Sequence, residues 1–423
     1  MKVLVCGASG FIGSTLTQAL VRAGHDVIRG VRKPAGEGDI AVDYSTDTDP
    51  PTWLPRLAGI DAVINAIGII AERPGARFLD LHQRAPMALF QACATAGVKR
   101  VVQISALGAD SGDTGYFRTK SAADTALMGL PVEWQILRPS LVYGEDGASA
   151  TAFRRLASLP VIAVPGLPAA ARFQPVHIDD LAAAVIAALD PRTPARQCID
   201  CVGASSHSLR DMIACYRKAF GLGAALWLSI PRPAMAITAR IAGLIPGLPL
   251  NPETWRMLQQ GSAGDFTGFE RLLGRKPRGL AGFISGEDAE RLAGRALREW
   301  QVLLLRLSLA AVWILTAFSS AFIHPQADSL ALLARVGLTG NVAALALYGT
   351  AAADFLLGVA TLLRPRRSTW IAQAVLILAY SVIIAVALPE WLTHPFGPVV
   401  KNLPILAILL VLMAGEPRWT TSR

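Results

Sequence analysis

The chain opens on an unbroken apolar run, Val3-Leu4-Val5-Cys6, followed by a glycine-punctuated turn, by Leu16, Leu20 and Val21 at helical spacing, and by a second apolar run near Val27-Ile28. Short continuous apolar runs fit strands buried on both faces, and the wider spacing fits one face of a helix. Their alternation predicts a parallel sheet with helices packed on it. Ala62-Val63-Ile64 and Val101-Val102-Gln103-Ile104 continue the series. From about residue 140 the alternation breaks into shorter elements, among them a predicted helix over 208–220 and a Pro/Gly-punctuated stretch to Gly282. Residues 1–290 therefore read as a sheet domain carrying a small substrate-side lobe, mainly 140–282.

Beyond residue 300 the pattern changes. Four stretches, 300–322, 342–363, 369–388 and 399–415, are nearly free of charge and are broken by His324-Pro325, by Arg364-Pro365-Arg366-Arg367 and by the segment from Pro389 to Pro398. A helix crosses a hydrocarbon core of about 30 Å with about 20 apolar residues, so 300–423 is predicted to be an all-α four-helix transmembrane bundle. A charged helical connector, 291–299, leads into it. Composition agrees, because only 12 of the 71 Asp, Glu, Lys and Arg residues fall in the last 124.

Arg291, Arg295 and Arg298 precede the first span, Arg364, Arg366 and Arg367 link the second and third, and Arg418 and Arg423 follow the fourth. The remaining connections offer only Arg335 and Lys401 as cations. The positive-inside bias then puts both termini and the sheet domain on the cytoplasmic side of a cytoplasmic (inner) membrane. Trp300, Trp370, Trp391 and Trp419 fall at span ends, where an indole favours the headgroup layer. Arg306 and Asp354 lie about 9 Å and about 13 Å inside the first two spans, measured from the same side. Two readings stand: they pair in one polar pocket, or the arginine snorkels while the aspartate is solvated within the bundle.

The net charge of +9 is dispersed or sits beside these spans, without the blocks of cations interleaved with aromatics that nucleic acid requires. The five cysteines, Cys6, Cys93, Cys198, Cys201 and Cys215, all precede the spans and read as reduced thiols. Met1-Lys2 runs straight into the first strand, so no signal peptide is expected.

The turn Gly7-Ala8-Ser9-Gly10-Phe11-Ile12-Gly13 follows a strand and opens a helix. Gly7 allows the tight turn, Gly10 lets backbone approach a pyrophosphate, and Gly13 allows close helix packing, while the helix N-terminus offers N–H groups to phosphate. The reading is a dinucleotide site contacted by Gly7, Ser9, Gly10, Phe11, Ile12 and Gly13. An NAD-preferring site usually carries Asp or Glu at the end of the second strand. This chain has Arg29-Gly30-Val31-Arg32-Lys33 there. Arg32, assisted by Lys33, can hold a 2′-phosphate, so NADP(H) is preferred and NAD(H) is the alternative; surface cations without a ligand are the competing reading.

The GxxGxxG spacing, Ser105 and the run Tyr116-Phe117-Arg118-Thr119-Lys120 resemble the short-chain dehydrogenase/reductase superfamily in its extended and atypical branches. The resemblance continues through Asp43, Asn65-Ala66-Ile67-Gly68, Leu137-Arg138-Pro139-Ser140 and Gln174-Pro175-Val176-His177-Ile178-Asp179-Asp180-Leu181. It is nearest to the atypical group containing the NADPH-binding accessory subunit of respiratory complex I and its bacterial relatives. The final third resembles the DoxX-like membrane family. The resemblance implies an α/β, Rossmann-like doubly wound parallel sheet with Asp43 approaching the adenine. It also implies that Asn65, Ala66 and Gly68 line the cofactor with Pro139, Tyr116 and Lys120.

Hydride reduction of a carbonyl needs a proton for the nascent alkoxide. Tyr116 and Lys120, four apart, share a helix face, and a nearby ammonium would lower the phenol's pKa. Ser105 closes a strand at the edge where open α/β sheets bind ligands. The resemblance implies that Ser105 orients the carbonyl, Tyr116 transfers the proton and Lys120 also binds nicotinamide ribose. No metal site is predicted: beside His177, Asp179 or Asp180 reads as a helix cap, and Cys198 and Cys201 point to opposite strand faces. Residues 233–245, apolar with only Arg240 charged, read either as a segment lying in the interface or covering the active-site mouth, or as a buried lobe helix.

Together these features predict a membrane-anchored oxidoreductase acting on a lipophilic carbonyl, alcohol or quinone. The alternative is a non-catalytic NADPH sensor or assembly factor for a membrane respiratory complex, and respiratory-complex or homo-oligomeric association is open in both.

Overall fold

The computed structural model describes residues 1–245, 250–395 and 397–415. The chain divides into two compact units, Met1–Ala296 and Leu297–Arg423. In the first unit the strands are β1 (Lys2–Cys6), β2 (Asp26–Val31), β3 (Asp39–Ala41), β4 (Ala62–Asn65), β5 (Arg100–Ile104), β6 (Glu133–Pro139), β7 (Val142–Tyr143), β8 (Val161–Pro165), β9 (Val176–His177), β10 (Gln197–Cys201) and β11 (Leu226–Ile230). Seven of them form a parallel sheet in the order β10-β6-β5-β4-β1-β2-β3. The order reverses between β1 and β4, and a reversal of this kind opens a crevice at the carboxyl ends of the strands. This is the expected doubly wound Rossmann-like sheet.

Helices α1 (Phe11–Arg22), α2 (Pro50–Trp53), α3 (Ala85–Ala96), α4 (Gly115–Met128), α5 (Ala148–Ser158) and α6 (Ile178–Leu189) follow the strands. Successive side chains of β1 alternate between two cores, as the pleat requires. Val3 and Val5 join Leu16, Leu20, Leu181 and Val185 on one face. Leu4 and Cys6 join Trp53, Leu89 and Phe90 on the other. Each such fully buried side chain contributes about 1.5–3 kcal/mol of transfer free energy.

The lobe adds α7 (Leu209–Ala219), α8 (Arg232–Ala242), α9 (Pro252–Gln260) and α10 (Thr267–Leu273), with β8 paired to β11 and β7 to β9. Ser208, predicted inside its helix, is the N-cap of α7 in a full capping box with Asp211. A separate core gathers Tyr143, Ile162, Phe173, Met212, Tyr216 and Phe283.

His177, rather than Asp179 or Asp180, caps α6: its Nδ1 accepts from the Asp179 amide at 3.2 Å. Asp180 is fully buried and holds Arg275 at 2.6 Å and the Arg278 amide at 2.7 Å, tying α6 to the segment after α10. Cys198 is exposed and Cys201 buried, on opposite faces of β10.

The remaining helices are α11 (Gly286–Phe318), α12 (Gln326–Arg335), α13 (Gly340–Leu363), α14 (Arg367–Ala387) and α15 (Asn402–Gly415). Among the described residues three helices, Gly286–Ile323 with its last π-helical turn, Gly340–Leu363 and Arg367–Ala387, are long and apolar enough to cross a membrane. Of the fourth expected span, 399–415, the described helix is Asn402–Gly415, 14 residues that run up to the last described position. Arg418, Trp419 and Arg423 lie outside the described residues.

The structure places three side chains that the sequence left open or read otherwise. Trp370 is 1% exposed and packs in the bundle core with Leu309, Trp313 and Ile377, so its indole faces neighbouring helices. The Arg306 guanidinium does not pair with Asp354. It donates to the carbonyls of Thr361 (3.2 Å) and Leu362 (2.8 Å), which the end of α13 leaves without intrahelical partners. Asp354 sits about two turns earlier on α13, 7% exposed, with Oδ1 making no hydrogen bond among the described residues.

Candidate functional site

The glycine turn sits at the switch point between β1 and β4. The amides of Gly7 and Ala8 donate to Gly30 of β2, and Gly10 donates back to Gly7 at 2.9 Å. Gly7 has φ +84°, a conformation side chains resist. A Cβ on Gly13 would lie 2.1 Å from the Gly7 carbonyl oxygen. No side chain caps α1 at Gly10, and its first turn carries no acid. The turn thus leaves backbone N–H groups at a helix N-terminus with space only hydrogen atoms preserve, the chemistry a diphosphate requires. Phe11 leans toward Gly144 and Gly147, where an added Cβ would meet its ring at 2.7 Å and 3.1 Å. Ser9 is exposed on the turn, and Ile12 packs at the edge of the sheet core.

Arg32 and Lys33 follow β2 directly and are exposed. Asp43, just beyond β3, accepts from the amide and hydroxyl of Ser45 at 3.0 and 2.7 Å. Those two bonds hold its carboxyl below the usual range, with Arg32 adding to the effect. Asn65 ends β4 and is 1% exposed. Its amide donates to Gln103 and its oxygen accepts from Tyr44 and from the Ile67 amide. Asn65 thereby shapes the loop rather than presenting a free amide. Ala66 and Ile67 pack against the Gly7 turn, and Gly68 faces Lys120, whose Nζ would stand 3.3 Å from an added Cβ.

Lys120 is 4% exposed and donates to the carbonyls of Ile104 (3.1 Å) and Ile67 (3.3 Å). Burial brings its ammonium down to about 8 despite the Asp124 charge. Tyr116, one turn earlier on α4, lies edge-on to Phe78, His82 and Phe117. Its phenol is pushed up to about 12 by burial and by Asp124, opposite to the lowering expected from Lys120. Ser105 closes β5 as expected, but its hydroxyl donates to Asp124 at 2.6 Å instead of pointing its proton into the crevice. Pro139, at the end of β6, accepts from the Leu107 amide and fixes the loop after Ser105.

Two residues of this cluster were not anticipated. Asp124 continues the Tyr116, Lys120 spacing by one more turn, so extending the pattern by four would have found it. It is 1% exposed, and burial raises its carboxyl against the pull of Ser105, Lys120 and Arg138. His82 lies in a π-helical turn, Leu79–Arg84, before α3, a deviation frequent at functional sites. Its Nε2 accepts from the Ile69 amide at 3.0 Å and its Nδ1 lies 3.4 Å from the Thr119 hydroxyl. Burial and the Lys120 charge bring it down to about 2, so the imidazole stays neutral. No sequence spacing links residue 82 to 116–120; only the tertiary fold does.

His82→Phe keeps the ring packing and strands the Ile69 amide, a loss of about 1 kcal/mol for a half-buried donor. Amide exchange at residues 66–69 is expected to rise about fivefold. Unchanged exchange there would show that the imidazole does not hold the loop.

Residues 7–190 match the NAD(P)H-binding family and residues 310–410 match the DoxX-like family. The chain is 29% identical over 201 residues to NADH dehydrogenase [ubiquinone] 1 alpha subcomplex subunit 9, mitochondrial, of Arabidopsis thaliana, covering 44% of this chain and 49% of that protein. It is 30% identical over 175 residues to 2-alkyl-3-oxoalkanoate reductase of Stenotrophomonas maltophilia, covering 34% and 52%. The chain spans about half the length of the curated relatives it matches. Among solved structures, UDP-glucuronic acid 4-epimerase from Bacillus cereus in complex with NAD superposes with a TM-score of 0.51 at 20% identity, covering 71% of this chain and 98% of that one. That likeness is one of fold. The chain thus joins, in one polypeptide, a region similar to the NAD(P)H-binding family, with the fold of the epimerases and short-chain dehydrogenases, to a region similar to the DoxX-like family.

Proposed function

We propose that this protein is a membrane-anchored oxidoreductase that uses NADP(H) in preference to NAD(H) and acts on a lipophilic carbonyl, alcohol or quinone. The observation that carries the reading is the gathering of Ser105, Tyr116 and Lys120 beside the loop that borders the glycine turn. A dinucleotide held by its diphosphate at that turn would supply or accept the hydride. Tyr116, protonated across the neutral range, gives its proton to the nascent alkoxide. The Lys120 ammonium stabilises the phenolate left behind. Ser105 keeps lone pairs free to accept from a substrate hydroxyl, and donates to a carbonyl once its proton leaves Asp124.

Arg32 and Lys33 hold the 2′-phosphate, at a strand end that carries no carboxylate. Arg32→Ala is expected to weaken NADPH binding about tenfold or more, the loss of one charge-assisted contact, and to leave NADH binding within about twofold. Equal affinities for the two coenzymes before and after the change, by calorimetry, would overturn the preference.

A lipophilic substrate is supported by the apolar helices of the same chain and by the name of the Stenotrophomonas reductase. The three arginines Arg364, Arg366 and Arg367 between α13 and α14 support a cytoplasmic sheet domain at an inner membrane. A second reading, an NADPH-binding assembly factor or sensor, is favoured by the similarity to the complex I subunit and by the Ser105 proton held on Asp124. Steady NADPH oxidation with membrane lipid extracts supports the enzyme. Tight nucleotide binding without turnover, with co-purification of a respiratory complex, supports the scaffold.

A further inference from the structure

The lobe presents an apolar surface that the sheet domain does not use. On α8 only Ala239 is buried. Ile237, Ile241, Leu244 and Ile245, at helical spacing on and just after α8, are 57%, 60%, 81% and 56% exposed. This is an amphipathic helix with its apolar stripe turned outward. The preceding strand extends the surface: Leu226 and Leu228 of β11 are exposed, and Leu226 stands in register with exposed Val161 of β8. The opposite face of β8 is closed, with Ile162 fully buried in the lobe core. Arg232, at the start of α8, is fixed to the end of β8 by a bond to the Gly166 carbonyl, so helix and strand pair form one ledge. Of the readings that the sequence pattern left open for this segment, the exposure of the stripe removes the buried lobe helix.

The charges around this ledge choose its occupant. Between Asp211 and Glu253 the sequence contains no acidic residue, while Arg217, Lys218, Arg232 and Arg240 are cationic. A helix with an apolar stripe flanked by arginines fits the boundary between acyl chains and anionic headgroups. A bilayer is the surface at hand, because the same chain carries three helices long and apolar enough to cross one.

We infer that α8 and the β8–β11 strand pair form a monotopic docking surface for anionic phospholipid, seating the lobe on the bilayer that the apolar helices enter. Arg232 and Arg240 take the headgroup phosphates, and Ile237, Ile241, Leu244 and Ile245 enter the acyl layer. The surface needs no nucleotide and no turnover, so it stands or falls apart from the catalytic proposal.

The test uses the full chain in nanodiscs of phosphatidylcholine, with and without phosphatidylglycerol, doped with a phospholipid carrying a diazirine in its acyl chain. After irradiation and digestion, adducts are expected on the peptide spanning 234–245 as well as on the apolar helices, more abundant with phosphatidylglycerol. Ile237→Glu with Ile241→Glu is expected to cut the 234–245 adducts about tenfold while leaving those on the apolar helices and leaving NADPH binding intact. Adducts confined to residues beyond 300 would overturn the inference. So would hydrogen-exchange protection of 232–245 that appears in detergent only on raising protein concentration, which would assign the surface to a second copy.

Discussion

Replacing Gly13 with valine is expected to weaken binding of NADPH and NADH more than 100-fold, because the side chain would enter space already filled by backbone. Even its Cβ would lie 2.1 Å from the Gly7 oxygen, 2.7 Å from the Gly7 carbonyl carbon and 3.1 Å from the Ala8 Cα. None of these is the end of a side chain that can turn aside. Either α1 lifts from β1 or the turn re-aims its N–H groups, and in both cases several charge-assisted bonds to a diphosphate, each about 1.5–3 kcal/mol, are lost together. Overpacking adds about 1–3 kcal/mol of destabilisation, so a thermal melt accompanies the calorimetry. Gly36→Ala is the control: a Cβ there meets nothing within 4 Å, and neither affinity nor melting temperature should move. Gly13→Val protein that folds and binds within threefold of the parent would remove the glycine turn from the nucleotide site.

The strand–turn–helix unit that carries the glycines could be read before the fold because its parts are neighbours in the chain. Strand, turn and helix are consecutive, Gly10 and Gly13 both face Gly7 within six residues, and Tyr116 and Lys120 are one helical turn apart. His82 was invisible for the opposite reason: its bonds to Ile69 and Thr119 join segments separated by 13 and 37 positions. Ser105 was placed correctly on a strand end, but the sense of its hydroxyl depends on Asp124, whose burial belongs to the packed helix α4. The same distinction explains Arg306 and Asp354. Depth along a span follows from counting at about 1.5 Å per residue, whereas the direction a side chain faces depends on its neighbours. Free carbonyls at the end of α13 took the guanidinium first. Trp370 likewise stands at the start of its helix yet faces the bundle core, a rotation that position alone does not encode.

Tyr116→Phe is expected to lower turnover by about 10²–10⁴-fold while leaving NADPH affinity within about threefold. The change deletes one oxygen and keeps a ring of the same outline among Phe78, His82 and Phe117, so packing is preserved. The pH dependence separates this role from a packing role. With the phenol up at about 12 and the Lys120 ammonium down at about 8, the phenol remains protonated between pH 6 and 9 while the ammonium discharges within that range. The reductive rate should therefore fall as pH rises through about 8, and Lys120→Met should give a low, flat profile. Stability moves the other way. A lysine whose folded pKa lies below its ordinary 10.5 leaves the unfolded chain holding more protons between about pH 8 and 10.5, so the parent gains stability relative to Lys120→Met as pH rises through that window. A rate and a melting temperature with opposite pH slopes, both abolished in Lys120→Met, would tie the ammonium to both. Unchanged turnover in Tyr116→Phe would take the phenol out of the chemistry and leave nucleotide binding as the domain's task.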